Sequence, residues 1–235
     1  MENPWLKLNI ENSPYILDCD REIVNEFNER KKSYNNHKIR LDNLPTPFAG
    51  DFENAKILLL QLNPGSEILP GLEPTENHEF FIYKNLKNEL LKSLRHNKMD
   101  YPFYWLNPDY MMTGGFKYWV KIFPSVINNF DDYKKIANNV CCVQYFPYHS
   151  KNYGHINKIL ESQNYSFNLV EEFIKKPDRM IILMRAENYW LNSPVAPKLK
   201  EFGYSTLKSN RNPVLSRRNF TKEEDYNRFF LLSQF

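Results

Sequence analysis

Cysteine is scarce in this sequence, which has only Cys19, Cys141 and Cys142 among its 235 residues. Three cysteines cannot form a disulfide framework, and they cannot supply the four ligands of an iron–sulfur cluster or a closed zinc site. Cys141 and Cys142 are adjacent within an apolar run, which is typical of a buried strand in a reducing compartment. The cysteine content therefore favours an intracellular protein.

Long apolar runs are also absent, since no stretch of about eighteen consecutive apolar residues occurs. Residues 1–4 (MENP) have none of the character of a signal peptide. The sequence contains no internal repeat and no low-complexity linker. We therefore expect a soluble, cytoplasmic protein that does not associate with membranes.

Neither sign of charge dominates, because 31 Lys and Arg stand against 28 Asp and Glu, with a formal net charge of +3. Whole-chain electrostatics therefore says little about partners. The distribution is more informative, since residues 198–218 contain six basic side chains and one acidic side chain, Glu201. The basic residues are Lys198, Lys200, Lys208, Arg211, Arg217 and Arg218. Such a cluster is often only a solvated face, but it also suits contact with phosphates.

The length, with 42% hydrophobic and 15% aromatic residues, suits one domain with a packed core. We expect residues 1–235 to form this domain, with an N-terminal helical extension at 1–43 and a core at 44–220. A C-terminal helix is predicted at 221–235, where Thr221 and Glu224 have the spacing of a capping box.

Four short apolar runs, at 56–62, 139–146, 179–185 and 204–209, are separated by segments with helical patterns. Strands that alternate with helices form parallel sheets covered by helices on both faces. We therefore predict an α/β fold, a three-layer sandwich with a central four-stranded parallel sheet flanked by helices. In such folds, ligands bind at the carboxyl ends of the strands.

Polar segments follow three of the four predicted strands. They are QLNPG at 61–65, QYFPYH at 144–149 and NRNPVLS at 210–216. Because the carboxyl ends of parallel strands lie at one edge of a sheet, these segments are expected to meet and form a ligand site.

These segments resemble the motifs of the uracil-DNA glycosylase superfamily. QLNPG (61–65) is similar to the Asn-Pro-Gly first motif of its mismatch-specific and single-strand-selective monofunctional branches, and residues 47–60 resemble the run-in to that motif. NPVLS (212–216) is similar to the second motif, although one residue shorter than its Asn form. VQYFP (143–147) is similar to the end of the middle strand, with Gln144 in place of a base-reading Asn. The resemblance covers residues 44–220.

The resemblance implies a monofunctional DNA glycosylase of base-excision repair that needs no metal or organic cofactor. It would flip out a uracil or a modified pyrimidine and hydrolyse the N-glycosidic bond, leaving an abasic site. The departures at Gln144 and Asn212, together with the aromatic segment 101–115, leave room for a bulky phage-type modified cytosine, and an enzyme directed at such bases would act in anti-phage defence. The expected partner is single- or double-stranded DNA, and we expect a monomer.

The resemblance also implies roles for individual residues. Asn63 would orient the attacking water, and Asn212 takes the position where many relatives use a histidine to stabilise the departing base. Asn is the weaker donor, which predicts slower excision or a substrate with a better leaving group. His149 and His155 follow the second predicted strand and could also take that role, although a lone histidine is more often an ordinary polar surface residue. The predicted base-binding residues are Gln61, Pro64, Gly65, Phe80, Gln144 and Phe146.

The basic loop after the fourth strand is the predicted DNA-binding surface. Leu215 would enter the vacated base stack as an apolar wedge. Phosphate contacts are predicted for Lys208, Arg211, Ser216, Arg217 and Arg218.

Each of these residues also has an ordinary structural explanation. Asn63 suits a tight turn, Gln144 suits a strand end bonded to backbone, and Phe80 or Phe81 suits a helix core. The aromatic segment 101–115 either covers the site or closes the core. Two other functions stay open: a non-catalytic DNA- or nucleotide-binding protein of the same fold, and an unrelated α/β enzyme.

Overall fold

Five strands form one mixed sheet in the computed structural model, which describes residues 1–31, 35–65 and 78–234. The strands are β1 (Phe48–Ala49), β2 (Ile57–Gln61), β3 (Val140–Gln144), β4 (Met180–Leu183) and β5 (Ser205–Thr206). Their order across the sheet is β1-β3-β2-β4-β5. The last four are mutually parallel, and β1 pairs antiparallel with β3 at one edge.

The predicted α/β class is confirmed, but the predicted four-stranded parallel sheet is wrong. All four predicted strands are present as β2 to β5, and the sheet has a fifth, antiparallel strand that the sequence pattern missed. β1 contains only two residues between Pro47 and Gly50. Such a short segment cannot show the periodicity by which strands are recognised.

The apolar composition of β2 and β3 explains why these strands lie in the interior of the sheet. All five residues of β2 and all five of β3 are buried, as expected for a parallel strand covered on both faces. The strands pair from Ile57 opposite Val140 to Gln61 opposite Gln144. Side chains alternate between the two faces along each strand, and residues that are directly paired project to the same face. Gln61 and Gln144 therefore point to the same face of the sheet.

Eight α-helices flank the sheet within the described part of the chain. They are α1 (Asp18–Arg30), α2 (His78–Leu94), α3 (Gly114–Ile122), α4 (Phe130–Asn139), α5 (Gln163–Ile174), α6 (Glu187–Trp190), α7 (Ala196–Phe202) and α8 (Glu223–Leu232). None of the described helices combines the length and apolar composition needed to cross a membrane.

The C-terminal helix begins at Glu223, and the predicted capping box at Thr221 is not formed. The Thr221 hydroxyl instead donates to the carbonyl of Thr206 at 2.6 Å, which ties the chain to β5. A complete capping box occurs at the start of α4, between Asn129 and Asp132.

The N-terminal residues 1–43, predicted as an extension, contribute Trp5, Val24 and Phe27 to the same hydrophobic core as the sheet. A buried carboxylate fixes this attachment. Asp20 accepts hydrogen bonds from the Tyr148 hydroxyl at 2.7 Å and from the backbone N–H of Ser162 at 3.2 Å. The N-terminal segment is therefore built into the fold.

Gly50, which follows β1, should be essential for stability. Its φ is +106°, and an added Cβ would lie 2.5 Å from Cys141 Cα and 2.6 Å from the Val140 carbonyl oxygen. Backbone strain and this clash together should lower the free energy of unfolding of Gly50→Ala by about 3 kcal/mol or more, measured by urea denaturation. Gly203→Ala is the control for backbone strain alone, since Gly203 has a φ of +86° and an added Cβ would meet no described atom within 4 Å; it should cost less, about 1–3 kcal/mol. Equal losses in the two variants would contradict the packing argument.

Candidate functional site

A cavity of about 880 Å³ opens at the carboxyl ends of β2, β3 and β4. Residues 61–65, Gln144 and Arg185 line it from the strand ends, and its walls come from segments 104–119 and 149–153. Cavities of about 300–1,000 Å³ typically hold small ligands. Two of the three predicted polar segments meet here, those that begin at Gln61 and at Gln144.

Asn63 lies in the cavity lining with its amide held in one orientation. Its Nδ2 donates to the Pro64 carbonyl and to the Ser150 hydroxyl, each at 3.0 Å. Because a carbonyl only accepts, the atom facing Pro64 must be the amide nitrogen. Among the described residues, no donor reaches Asn63 Oδ1, so this oxygen is available to a water molecule or a ligand.

Gln144 lies deeper in the cavity, with 8% of its surface exposed. Its Oε1 is buried and has no hydrogen-bond partner within the described chain. The alternative that this side-chain oxygen bonds to backbone is therefore not seen. A buried acceptor without a donor costs about 1–3 kcal/mol, and a ligand donor at this position would remove that cost.

Gln61 contacts the neighbouring strand and helix. Its Nε2 donates to Met184 Sδ at 3.3 Å, and its backbone carbonyl accepts from the Trp190 indole at 2.8 Å. The side chain is 3% exposed and faces the cavity beside Gln144. Gln61 therefore fixes the end of β2 as well as contributing to the cavity floor.

Arg185 and Tyr118 are cavity residues that the sequence interpretation did not select. Arg185 Nη2 donates to the Arg211 carbonyl at 3.1 Å, whereas its Nε is buried without an acceptor in the described structure. Burial raises the pKa of the Tyr118 phenol, against the opposing effects of the Arg185 charge and the Gln61 side chain. Arg185 ends the third predicted strand, so the strand-end rule that selected Gln61 and Gln144 would also have found it.

His149 supports the Asn-Pro-Gly turn from the cavity wall. Its Nδ1 lies 2.6 Å from the Gly65 carbonyl oxygen, and its Nε2 lies 3.3 Å from the Thr46 hydroxyl. Since the carbonyl accepts, Nδ1 carries the proton. Desolvation lowers the pKa of His149, although hydrogen bonds to the Gly65 and Leu44 carbonyls oppose this effect. The neutral imidazole therefore positions the first motif.

The aromatic segment 101–115 belongs to both the core and the cavity. Phe103 and Tyr104 are fully buried, and Tyr104 and Trp105 both line the cavity. A Cβ at Gly115 would lie 2.3 Å from the Trp105 ring, so the glycine permits this ring to pack against the start of α3. Trp105 and Tyr118 give the cavity an aromatic surface.

Only some of the other predicted base-binding residues line the cavity. The four to be placed are Pro64, Gly65, Phe80 and Phe146. Pro64 and Gly65 line the cavity, and a Cβ at Gly65 would meet no described atom within 4 Å. Phe146 is 2% exposed, packs edge-on against Tyr148 and is not among the residues that line the cavity, so the structure does not place its ring where a base would bind. Phe80 lies in α2, but its side chain is outside the described residues.

Leu215 anchors the basic loop to the core, so the structure does not present it as the exposed wedge that the sequence predicts. The side chain is fully buried, and its backbone N–H donates to the Ile122 carbonyl at 2.8 Å. Burial of the leucine is favourable here because the loop packs against the end of α3. Its apolar character therefore serves folding.

Asn212 is exposed in the same loop and is not among the residues that line the cavity. Its carbonyl accepts from the Val214 N–H at 2.8 Å and from Asn219 Nδ2 at 3.2 Å. Asn219 organises the loop, since its Nδ2 also donates to the Val214 carbonyl and its Oδ1 accepts from the Ser209 N–H. The structure does not bring Asn212 together with Asn63, contrary to the predicted catalytic pair.

The basic side chains of this loop remain candidates for phosphate contacts. Lys208, Arg211, Arg217 and Arg218 are exposed, and Ser216 is half-buried. Arg217 forms an ion pair with Glu223 at 3.0 Å and lies over the Tyr226 ring. Lys208 donates to the Arg218 carbonyl at 3.2 Å.

Comparison of the chain with protein-family models, with curated proteins and with solved structures gives no match. The resemblance to the uracil-DNA glycosylase superfamily therefore depends on the motif residues alone. Of these, the first motif and Gln144 share the cavity, whereas the second motif forms the exposed loop.

Acid should destabilise the protein partly through His149. Because the folded state lowers the pKa of this imidazole, the unfolded chain binds the proton more readily. This contribution to the free energy of unfolding is complete above about pH 6.5 and is lost as the pH falls below it. In urea titrations between about pH 5 and 8, His149→Gln should show a shallower loss of stability toward acid than the wild type. An unchanged slope would contradict this account of His149.

Proposed function

We propose that the protein is a monofunctional DNA glycosylase that holds a flipped pyrimidine in the cavity and hydrolyses its N-glycosidic bond. One observation carries the proposal: Asn63 and Gln144 share one cavity, and each has an amide oxygen that no described donor reaches. The first oxygen suits a water molecule, and the second suits the edge of a base.

Asn63 has the properties needed to orient the attacking water. Glycosidic cleavage passes through an oxocarbenium-like sugar, so the water is needed only late and a strong base is not required. The Asn63 amide can hold such a water by accepting a hydrogen bond, without taking its proton. Its contacts with Pro64 and Ser150 fix the direction of the accepting oxygen before substrate binds.

Gln144 is suited to reading the base, because a buried amide discriminates by leaving wrong partners unpaired. Its oxygen would accept from a ring N–H or an exocyclic amino group, and its nitrogen would donate to a carbonyl. The cavity, at about 880 Å³, supports uracil or a modified pyrimidine as substrate, including a phage-type modified cytosine. Trp105 and Tyr118 offer rings on which the base could stack.

The exposed basic loop supports DNA as the partner. Lys208, Arg211, Arg217 and Arg218 would contact phosphates, which gives an affinity that depends on salt and not on sequence.

A non-catalytic DNA- or nucleotide-binding protein of the same fold is the second candidate. One observation favours it: the only carboxylate in the described cavity lining, Asp42, is held by Arg40 through a 2.9 Å hydrogen bond. A binding protein would need the base pocket but no general base, whereas an enzyme without one would depend on Asn63 alone to place the water.

Asn63→Ala should separate these functions. Wild-type protein is incubated with oligonucleotides that contain uracil or modified cytosines, and abasic sites are detected by alkaline strand cleavage. The variant should excise the base about 100-fold more slowly or worse, because the water loses its orienting acceptor. Asn192→Ala, which alters an exposed amide bonded to the Asn188 carbonyl, is the matched control and should keep the wild-type rate.

Two results would count against the proposal. An unchanged rate in Asn63→Ala would overturn the role given to this residue. DNA binding without abasic sites on any substrate would favour the non-catalytic protein.

A further inference from the structure

Arg185 occupies a rigid position at the centre of the sheet edge. The backbone N–H groups of Met184 and Arg185 both donate to the Leu60 carbonyl, at 3.0 and 3.3 Å. The residue therefore leaves β4 directly beside the end of β2, and its side chain lines the cavity that contains Asn63 and Gln144.

The positive charge of Arg185 has no acidic partner in the described structure, which shows no ion pair at this residue. The single carboxylate of the described cavity lining belongs to Asp42, which is bound to Arg40. Lys87 and Lys151 also line the cavity, so its described charges are mainly positive. The cavity is therefore suited to a ligand that is negatively charged or becomes so.

The guanidinium also has unused donors. Of its five N–H groups, one donates to the Arg211 carbonyl at 3.1 Å, and the buried Nε has no acceptor among the described residues. Arg185 as a whole is half-buried, but its Nε is a buried donor without an acceptor, which is costly, and an anionic group beside it would remove that cost.

We propose that Arg185 is a catalytic residue that stabilises the negative charge on the departing base, a role first expected of Asn212. This inference rests on the proposed glycosylase function. When the bond between the sugar carbon and the base nitrogen breaks, its electron pair leaves with the base and spreads to the base carbonyl oxygens. Water adds its hydroxyl to the sugar carbon, and its remaining proton ends on the base through solvent. Arg185 transfers no proton in this step and acts only through its positive charge and its N–H donors.

Variants at Arg185 test this role through its dependence on the leaving group. Single-turnover excision is measured on matched oligonucleotides with uracil or 5-fluorouracil, whose fluorine withdraws electrons and makes the base a better leaving group. Arg185→Gln should slow uracil excision about 100–1,000-fold and should slow 5-fluorouracil excision clearly less. Arg185→Lys should recover part of the rate, because it keeps the charge without the planar donor array.

Arg21→Gln provides the matched control, since Arg21 lies on α1 and pairs with Asp18 at 2.6 Å. It should leave both rates unchanged. Equal losses on the two bases in Arg185→Gln would overturn the proposed contact with the leaving base and would indicate a phosphate contact or a folding role.

A binding measurement separates this inference from the proposed function. Equilibrium dialysis measures the affinity for free 5-fluorouracil below and above the pH at which its ring N–H ionises. Wild-type protein should prefer the anion, and Arg185→Gln should lose that preference. Anion preference without any excision would refute the glycosylase function while supporting the role of Arg185 as an anion-binding group. Excision without anion preference would overturn the role of Arg185.

Discussion

The register between β2 and β3, with Gln61 opposite Gln144, is the constraint on which the candidate site depends. Because side chains alternate along a strand, a shift of one residue would turn every side chain of one strand to the opposite face and would carry its glutamine away from the other glutamine. The apolar residues before each glutamine therefore fix where the two amides emerge. Asn63 follows two residues later, and Arg185 is tied to the same edge through Leu60.

The cavity concentrates polar groups that the described protein leaves unsatisfied. The Gln144 oxygen and the Arg185 Nε are both buried without partners, and both belong to the cavity lining. Groups of this kind lower the stability of the free protein, but they need little reorganisation when a complementary ligand arrives. These unsatisfied polar groups, which reduce stability but are already positioned for a ligand, are the strongest physical reason to regard the cavity as a functional site.

The strands of the fold were predictable from sequence, because buried parallel strands appear as short apolar runs between helical segments. β1 was not predictable, because two residues are too few to show the alternation of side chains typical of a strand. Its pairing with Val143 and Cys142 is also a contact between segments far apart in sequence. Leu215 shows a different difficulty: an apolar residue in a basic loop suits both a DNA wedge and a core anchor, and only its burial distinguishes them. Asn63 and Gln144 were found by the strand-end rule, but their unpaired oxygens depend on neighbours distant in sequence, such as Ser150.

We propose that a flipped base occupies the cavity between Asn63, Gln144 and Arg185. A crystal structure of Asn63→Ala bound to an oligonucleotide with the excisable base tests it most directly, because slow turnover would preserve the complex. We expect this structure to show the base inside the cavity, with its edge hydrogen-bonded to the Gln144 amide and its carbonyl oxygens facing the Arg185 guanidinium. A base that stays stacked in the DNA, or one bound elsewhere on the protein, would contradict it.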